Sequence, residues 1–233
     1  MTTVILLRHG RSTANTGGVL AGWTPGVELD ETGRAQVRAV GERLGQVPLA
    51  AVVSSPLERC RQTAGAVLDG RDLDLATDDR FGEARYGDWT GRPLKELARE
   101  PLWKVVQQHP SAAVFPGPEG EGLAQTQARA VAAVREWNAR LGPDAVWLAC
   151  SHGDVIKAVL ADALGLHLDQ FQRIVVDPAS ISVITYTETR PFVVRVNDTG
   201  GDVAALVPPR RKGRRRRTAD SDAVVGGGAG ATA

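Results

Sequence analysis

The chain has little cysteine, no long apolar run and almost no net charge, and each shortage removes a class of protein. Two cysteines, Cys60 and Cys150, in 233 residues cannot staple a disulfide framework, and their spacing fits no zinc site. Both lie in apolar or helical stretches and read as small buried side chains. No stretch approaches the roughly 18–20 consecutive apolar residues of a membrane span. Val4–Leu7 is apolar, but Arg8 and His9 interrupt it well short of the roughly 7–15 residues of a signal-peptide core, so a cytoplasmic location is expected. The formal net charge of +1 generates no whole-protein field for nucleic acid or membrane, and no specific nucleic-acid partner is expected. Three chemical motifs are missing as well. There is no G-x-x-x-x-G-K-[ST] phosphate loop, no G-x-G-x-x-G after a strand, and no G-x-S-x-G elbow around Ser54, Ser55 or Ser151.

What remains is an ordinary globular composition, 42% hydrophobic and 24% charged, in which short apolar runs alternate with helical patterns. Val4–Leu7, Ala51–Ser54 and Ala145–Cys150 read as buried strands. Helices are expected from about Glu31 to Gln46 behind a cap at Asp30 or Thr32, and from Leu57 to Leu68 after Pro56. Two more are expected from Leu123 to Leu141, closed by Gly142-Pro143, and from Asp154 to Leu164, closed by Gly165. Such alternation predicts βαβ units in a three-layer α/β/α fold with a mostly parallel central sheet. Ser180–Thr187 and Phe192–Val196 predict a hairpin or antiparallel edge. The domain is expected over 1–206, with residues 78–122 as a substrate-side insertion of short helices and loops. Residues 207–233, which carry the basic octet Arg210–Arg217 and end in GGGAGATA, are expected to be a disordered tail.

Two of the four histidines share one context. His9 ends an apolar strand and precedes Gly10; His152 ends another and precedes Gly153. Ligands of open parallel sheets bind at the carboxyl ends of the strands, so both imidazoles should reach the same rim. Arg8 comes with the first strand, and Arg59 lies in the first turn of the helix after Ala51–Ser54. Guanidinium groups match phosphate oxygens in pairs, and helix N-termini add N–H donors, so this set suits a tetrahedral dianion. A neutral imidazole can attack phosphorus, and nearby arginines keep it neutral. A general acid must then protonate the leaving alkoxide, and Glu83, Asp88 and Glu96 are candidates. The two arginines count against a His–His–carboxylate metal site, because they would repel a cation.

These residues resemble the signature of the histidine phosphatase superfamily, its phosphoglycerate mutase-like branch, over Val4 to about Val196. Leu7-Arg8-His9-Gly10 with Ser12 and Asn15 is similar to the first block, and Gly22-Trp23 with Leu29–Gly33 and Gln36 to the second. Ser54-Ser55-Pro56-Leu57 with Arg59, Gln62, Thr63 and Ala64 resembles the third. Glu83 with Tyr86–Gly91 resembles the fourth, and Ser151-His152-Gly153 with Val155 and Ile156 the last. The resemblance implies a phosphoglycerate mutase-like fold in which His9 is phosphorylated. It implies that Arg8, Arg59 and His152 hold the phosphoryl group and that Glu83 donates the proton. It further implies that Asn15, the Gly153 N–H and Ser12 line the phosphate pocket, and that no metal or cofactor takes part. One departure stands out: Glu119-Gly120-Glu121-Gly122 has Gly where the family often has Ser before the long helix.

Within that resemblance the expected activity is hydrolysis of a small phosphorylated metabolite. The 92–120 stretch is short for the covering insertion of the glycolytic mutases, and the tail looks too loose to form a lid. The alternatives are a primer-dependent phosphoglycerate mutase and an inactive phospho-ligand-binding member, the latter disfavoured because His9, Arg8, Arg59, His152 and Glu83 are all present. Leaving-group selection is expected from 78–122 and the Gly17–Val27 loop, with Trp23, Trp89 and Trp103 as candidate walls and Arg85, Arg92 and Lys95 as candidate anion contacts. A homodimer is left open.

Overall fold

β1, Thr2–Arg8, shows why its run is apolar throughout. Val4 and Leu6 enter one hydrophobic cluster while Ile5 and Leu7 enter a second on the other face of the sheet. A strand covered on both faces has no solvent side on which to place polar residues. In the computed structural model, which describes residues 1–201 and 225–228, β1 lies in the middle of a six-stranded sheet. Its partners are β2 (Ala51–Ser54), β3 (Leu75–Thr77), β4 (Val146–Ser151), β5 (Ile181–Tyr186) and β6 (Pro191–Asp198), in the order β3-β2-β4-β1-β5-β6. The pairs β1–β4, β4–β2 and β2–β3 are parallel, while β5 and β6 run antiparallel at one edge. This is the expected three-layer, mostly parallel fold with its antiparallel edge. β3 alone was not anticipated, because three residues are too few to show a period.

Helices α1 (Thr13–Gly17), α2 (Glu31–Leu44), α3 (Glu58–Leu68), α4 (Leu94–Leu97), α5 (Pro101–Gln108), α6 (Leu123–Leu141) and α7 (Gly153–Ala163) complete the layers. Asp30 is the cap of α2, its side chain accepting from the Gly33 N–H. The α2 stripe Val37, Val40 and Leu44 packs with Cys60, Ala64 and Val67 of α3 on the Ile5/Leu7 face. α6 and α7 cover the Val4/Leu6 face. Gly122 caps α6 without a side chain. Gln125 Oε1 accepts from the Gly122 N–H at 2.7 Å.

Residues 78–122 hold two 3₁₀ turns before α4, then α5 and a third 3₁₀ turn. Trp89, Trp103, Tyr86 and Phe115 pack them onto the core, with Tyr86 and Phe115 ring centroids 4.8 Å apart. Among the described residues no helix is long and apolar enough to cross a membrane. The basic octet and most of the expected tail lie outside the described residues. Val225–Gly228 are described and do not follow the expectation of disorder. Val225 is 1% exposed within the core cluster, and the backbone after it is hydrogen-bonded to the chain.

Candidate active site

Strand register builds the site. Arg8 pairs with Ser151 and Ser54 pairs with Cys150, so His9, His152 and Ser55 leave three adjacent parallel strands side by side. The His9 N–H donates to Ser151 O at 3.0 Å, and the Ser55 N–H to Cys150 O at 2.9 Å. The two imidazole rings stand 5.2 Å apart between centroids. Gly10 has no room for a side chain, because a Cβ would lie 2.7 Å from Val37 and 2.8 Å from the Gly33 carbonyl.

His9 is 3% exposed, and its Nδ1 lies 2.7 Å from the Gly10 carbonyl. A carbonyl can only accept, so Nδ1 carries the proton and Nε2 keeps its lone pair. Burial, then the charges of Arg59 and Arg8, hold the ring's pKa well below the ordinary value. His152 is fully buried at the N-cap of α7. Its Nδ1 lies 3.2 Å from Arg59 Nη2, which can only donate, so its Nε2–H faces Ser55 Oγ at 2.8 Å. Burial, Arg59 and His9 lower its pKa as well.

Arg59 links His152 to the pocket that His9 lines. Its Nη2 donates to Gly22 O and His152, while its buried Nη1 has no hydrogen-bond partner among the described residues. Arg59 lines a cavity of about 170 Å³ with His9, Glu83, Ser12, Asn15 and Tyr86. Arg8 is also buried and donates to Val176 O (2.8 Å), Gly226 O (3.2 Å) and Gly228 O (2.6 Å). Ser12 and Asn15 form a reciprocal cap at the start of α1, with Asn15 Oδ1 accepting from the Ser12 N–H and hydroxyl. His152, Arg8 and Gly153 stand behind the lining residues rather than among them.

Glu83 is 4% exposed, and its carboxyl is pushed up to about 7 by burial and by the nearby charge of Asp154. Its Oε1 accepts from the Ala84 N–H at 2.9 Å, and its Oε2 lies 3.7 Å from His152 Nδ1. Its backbone carbonyl is pinned by Trp23 Nε1 and Arg129 Nη2, at 2.6 and 3.0 Å. The other two candidate carboxylates, Asp88 and Glu96, are exposed and line none of this cavity. Trp89 and Trp103 pack against each other in the core, and Trp23 carries Arg85 over its ring at 4.2 Å. None of the three lines the cavity. Arg92 is ion-paired with Glu100 and Arg85 with Glu119, away from it.

Two features were not legible beforehand. Asp154 is fully buried, accepting from Tyr86 Oη (3.0 Å) and the Gly226 N–H (2.8 Å), with Lys157 Nζ at 3.5 Å. Its only sequence signal is an acid in the first turn of α7, where acids are common for helix-dipole reasons alone. The second is Val225–Gly228 in the cavity wall, which nothing in a Gly-Ala run foretells. Among the described residues no group of three or more His, Cys, Asp or Glu is arranged to hold a metal ion.

Known proteins resemble this chain in sequence and in fold. The family model for the histidine phosphatase superfamily (branch 1) matches residues 4–199. Phosphoserine phosphatase 1 of Hydrogenobacter thermophilus is 30% identical over 202 residues, 85% of this chain and 93% of that protein. A 2,3-bisphosphoglycerate-dependent phosphoglycerate mutase 2 of Gloeobacter violaceus is 29% identical, over 76% of this chain and 82% of its own. Among solved structures, YhfR of Bacillus stearothermophilus superposes with a TM-score of 0.77 at 28% identity, covering 85% of this chain and 98% of that one.

Proposed function

This chain belongs to the histidine phosphatase superfamily, and we propose that it is a phosphomonoesterase that hydrolyses small phosphorylated metabolites through a phosphohistidine on His9. The observation that carries the mechanism is the pairing of opposite environments. An imidazole is held neutral with its Nε2 lone pair available, and a carboxyl lining the same cavity is pushed up to about 7. Acid and nucleophile roles are set by environments that drive two titratable groups apart.

In the first step His9 Nε2 attacks phosphorus and the bond to the ester oxygen breaks. Protonated Glu83 gives its proton to the departing alkoxide. In the second step water attacks the phosphohistidine, Glu83 takes the water proton, and the N–P bond breaks to release inorganic phosphate. Arg59 and Arg8 neutralise the equatorial oxygens, with His152 behind them and Asn15 and Ser12 at the pocket wall. The Gly153 N–H, at the start of α7, adds a backbone donor. The same two guanidinium charges oppose a bound cation, so the reaction is read as metal-independent.

A second reading, phosphomutase, draws on the Gloeobacter relative and on Val225–Gly228. Part of the case for hydrolysis was a tail unable to cover the site, and that part does not hold for these four residues. A chromogenic phosphate ester tests the function. Phosphate release should survive chelator and be lost in His9→Ala; activity that disappears with chelator sinks the metal-free mechanism. Exchange of 2- and 3-phosphoglycerate only with a bisphosphoglycerate primer, without net phosphate release, would replace the hydrolase with the mutase.

A further inference from the structure

Arg8 and Asn15 are assigned above to the phosphoryl group, yet both give donors to the chain's own C-terminal segment. Arg8 Nη2 donates to Gly226 O at 3.2 Å and Gly228 O at 2.6 Å, and Asn15 Nδ2 donates to Gly228 O at 3.4 Å. Gly228 O therefore accepts from two groups that converge on one oxygen, the arrangement that a phosphate oxygen would also require. The segment is built to reach that position. Val225 is buried against α7 and the core cluster as an anchor. The Gly226 N–H is held by Asp154 Oδ2 at 2.8 Å. Gly226 and Gly228 take φ of +74° and +58°, backbone that side chains disfavour. A Cβ on Gly226 would also lie 3.2 Å from Leu20 Cδ1.

We propose that Val225–Gly228 is an internal competitor for the phosphoryl subsite, the Gly228 carbonyl holding the place of a phosphate oxygen until substrate displaces it. The proposal rests on the phosphatase reading of this pocket. One N–H bond serves one strong acceptor at a time, so docking of the segment and full engagement of a phosphoryl group by Arg8 Nη2 exclude each other. The exchange favours substrate, because a dianion binds a guanidinium more strongly than a neutral carbonyl does. Apparent affinity then equals the intrinsic affinity scaled by the fraction of molecules with the segment undocked.

Two substitutions loosen the segment without adding charge to the pocket: Val225→Gln, which places an amide at a buried apolar position, and Gly226→Val, which a β-branched side chain makes strained at that φ. Inorganic phosphate is titrated by calorimetry into the full-length protein and each variant. A segment docked about nine-tenths of the time predicts that Kd falls roughly tenfold in both variants, and KM for p-nitrophenyl phosphate falls with it. Phosphate affinity that is unchanged or weaker in either variant overturns the proposal. If the wild-type protein hydrolyses no monoester, the functional reading fails by itself, and the phosphate titrations still decide whether the segment competes.

Discussion

Replacing Glu83 with Gln removes one ionisable proton and little else. The amide keeps an oxygen for the Ala84 N–H, and the shape at the pocket is conserved. In the folded chain this carboxyl titrates at about 7 against an ordinary 4.5. Below pH 4.5 both folded and unfolded chains hold the proton, and the group adds no pH dependence. Between 4.5 and 7 the unfolded chain loses its proton while the folded chain keeps it, so wild-type stability falls as pH rises. Above 7 both are ionised and the deficit is constant, about 3 kcal/mol at roughly 1.4 kcal/mol for each tenfold change in ionisation constant. Glu83→Gln has no such deficit. Its stability relative to wild type should therefore improve by about 3 kcal/mol between pH 4.5 and pH 8, read from paired urea titrations at the two pH values. The same titration governs catalysis. Wild-type kcat should fall above about pH 7 as Glu83 loses the proton that it must donate. The variant should lose roughly 10²–10⁴-fold in kcat for an ester with a poor leaving group. A relative stability that is the same at both pH values, or a wild-type kcat still rising at pH 9, would refute Glu83 as a buried, raised proton donor.

Arg59→Ala should lower kcat/KM by about a hundredfold or more, because it deletes a guanidinium that lines the pocket beside His9 and Glu83. Arg59→Lys should recover only part of that, since an ammonium cannot offer two parallel N–H groups; full recovery would show that charge alone matters. Asp154→Asn removes the second-largest cause holding Glu83 up. The falling limb of the kcat–pH profile should move to lower pH, and an unmoved limb would remove Asp154 from the acid's environment.

The sheet core was legible because a strand buried on both faces writes its position as an uninterrupted apolar run, as in Val4–Leu7 and Val146–Cys150. The rim of the site followed from it. Once the strands end at Arg8, Ser54 and Ser151, the next residues must meet. Glu83 was harder. Three carboxylates in one loop look alike as letters, and what separates them is burial, which comes from distant partners: Trp23 and Arg129 holding the Glu83 carbonyl. Asp154 and Val225–Gly228 were illegible for the same reason. Their roles depend on contacts 68 and 72 residues away for Asp154, with Tyr86 and Gly226, and no local period reports a contact of that span.

Two histidines at matching strand ends look equivalent in sequence, and their hydrogen bonds make them different. His152 has both ring nitrogens engaged: Nδ1 receives the Arg59 guanidinium, and Nε2 gives its proton to Ser55. Attack by that ring would require breaking the charge-assisted bond at Nδ1, or changing tautomer to free Nε2, inside a fully buried site. His9 gives its Nδ1 proton to Gly10 O, and the same bond leaves the Nε2 lone pair on the ring's far side. Its low pKa keeps that lone pair unprotonated over the mildly acidic range in which Glu83 still carries its proton. His9 is therefore the expected attacker, and His152 the group that orients Arg59. Acid-labile incorporation of labelled phosphate, trapped by rapid quench, checks the division. His152→Gln should still label, slowly, whereas His9→Gln should not label at all. Label retained in His9→Gln and lost in His152→Gln would reverse the two roles.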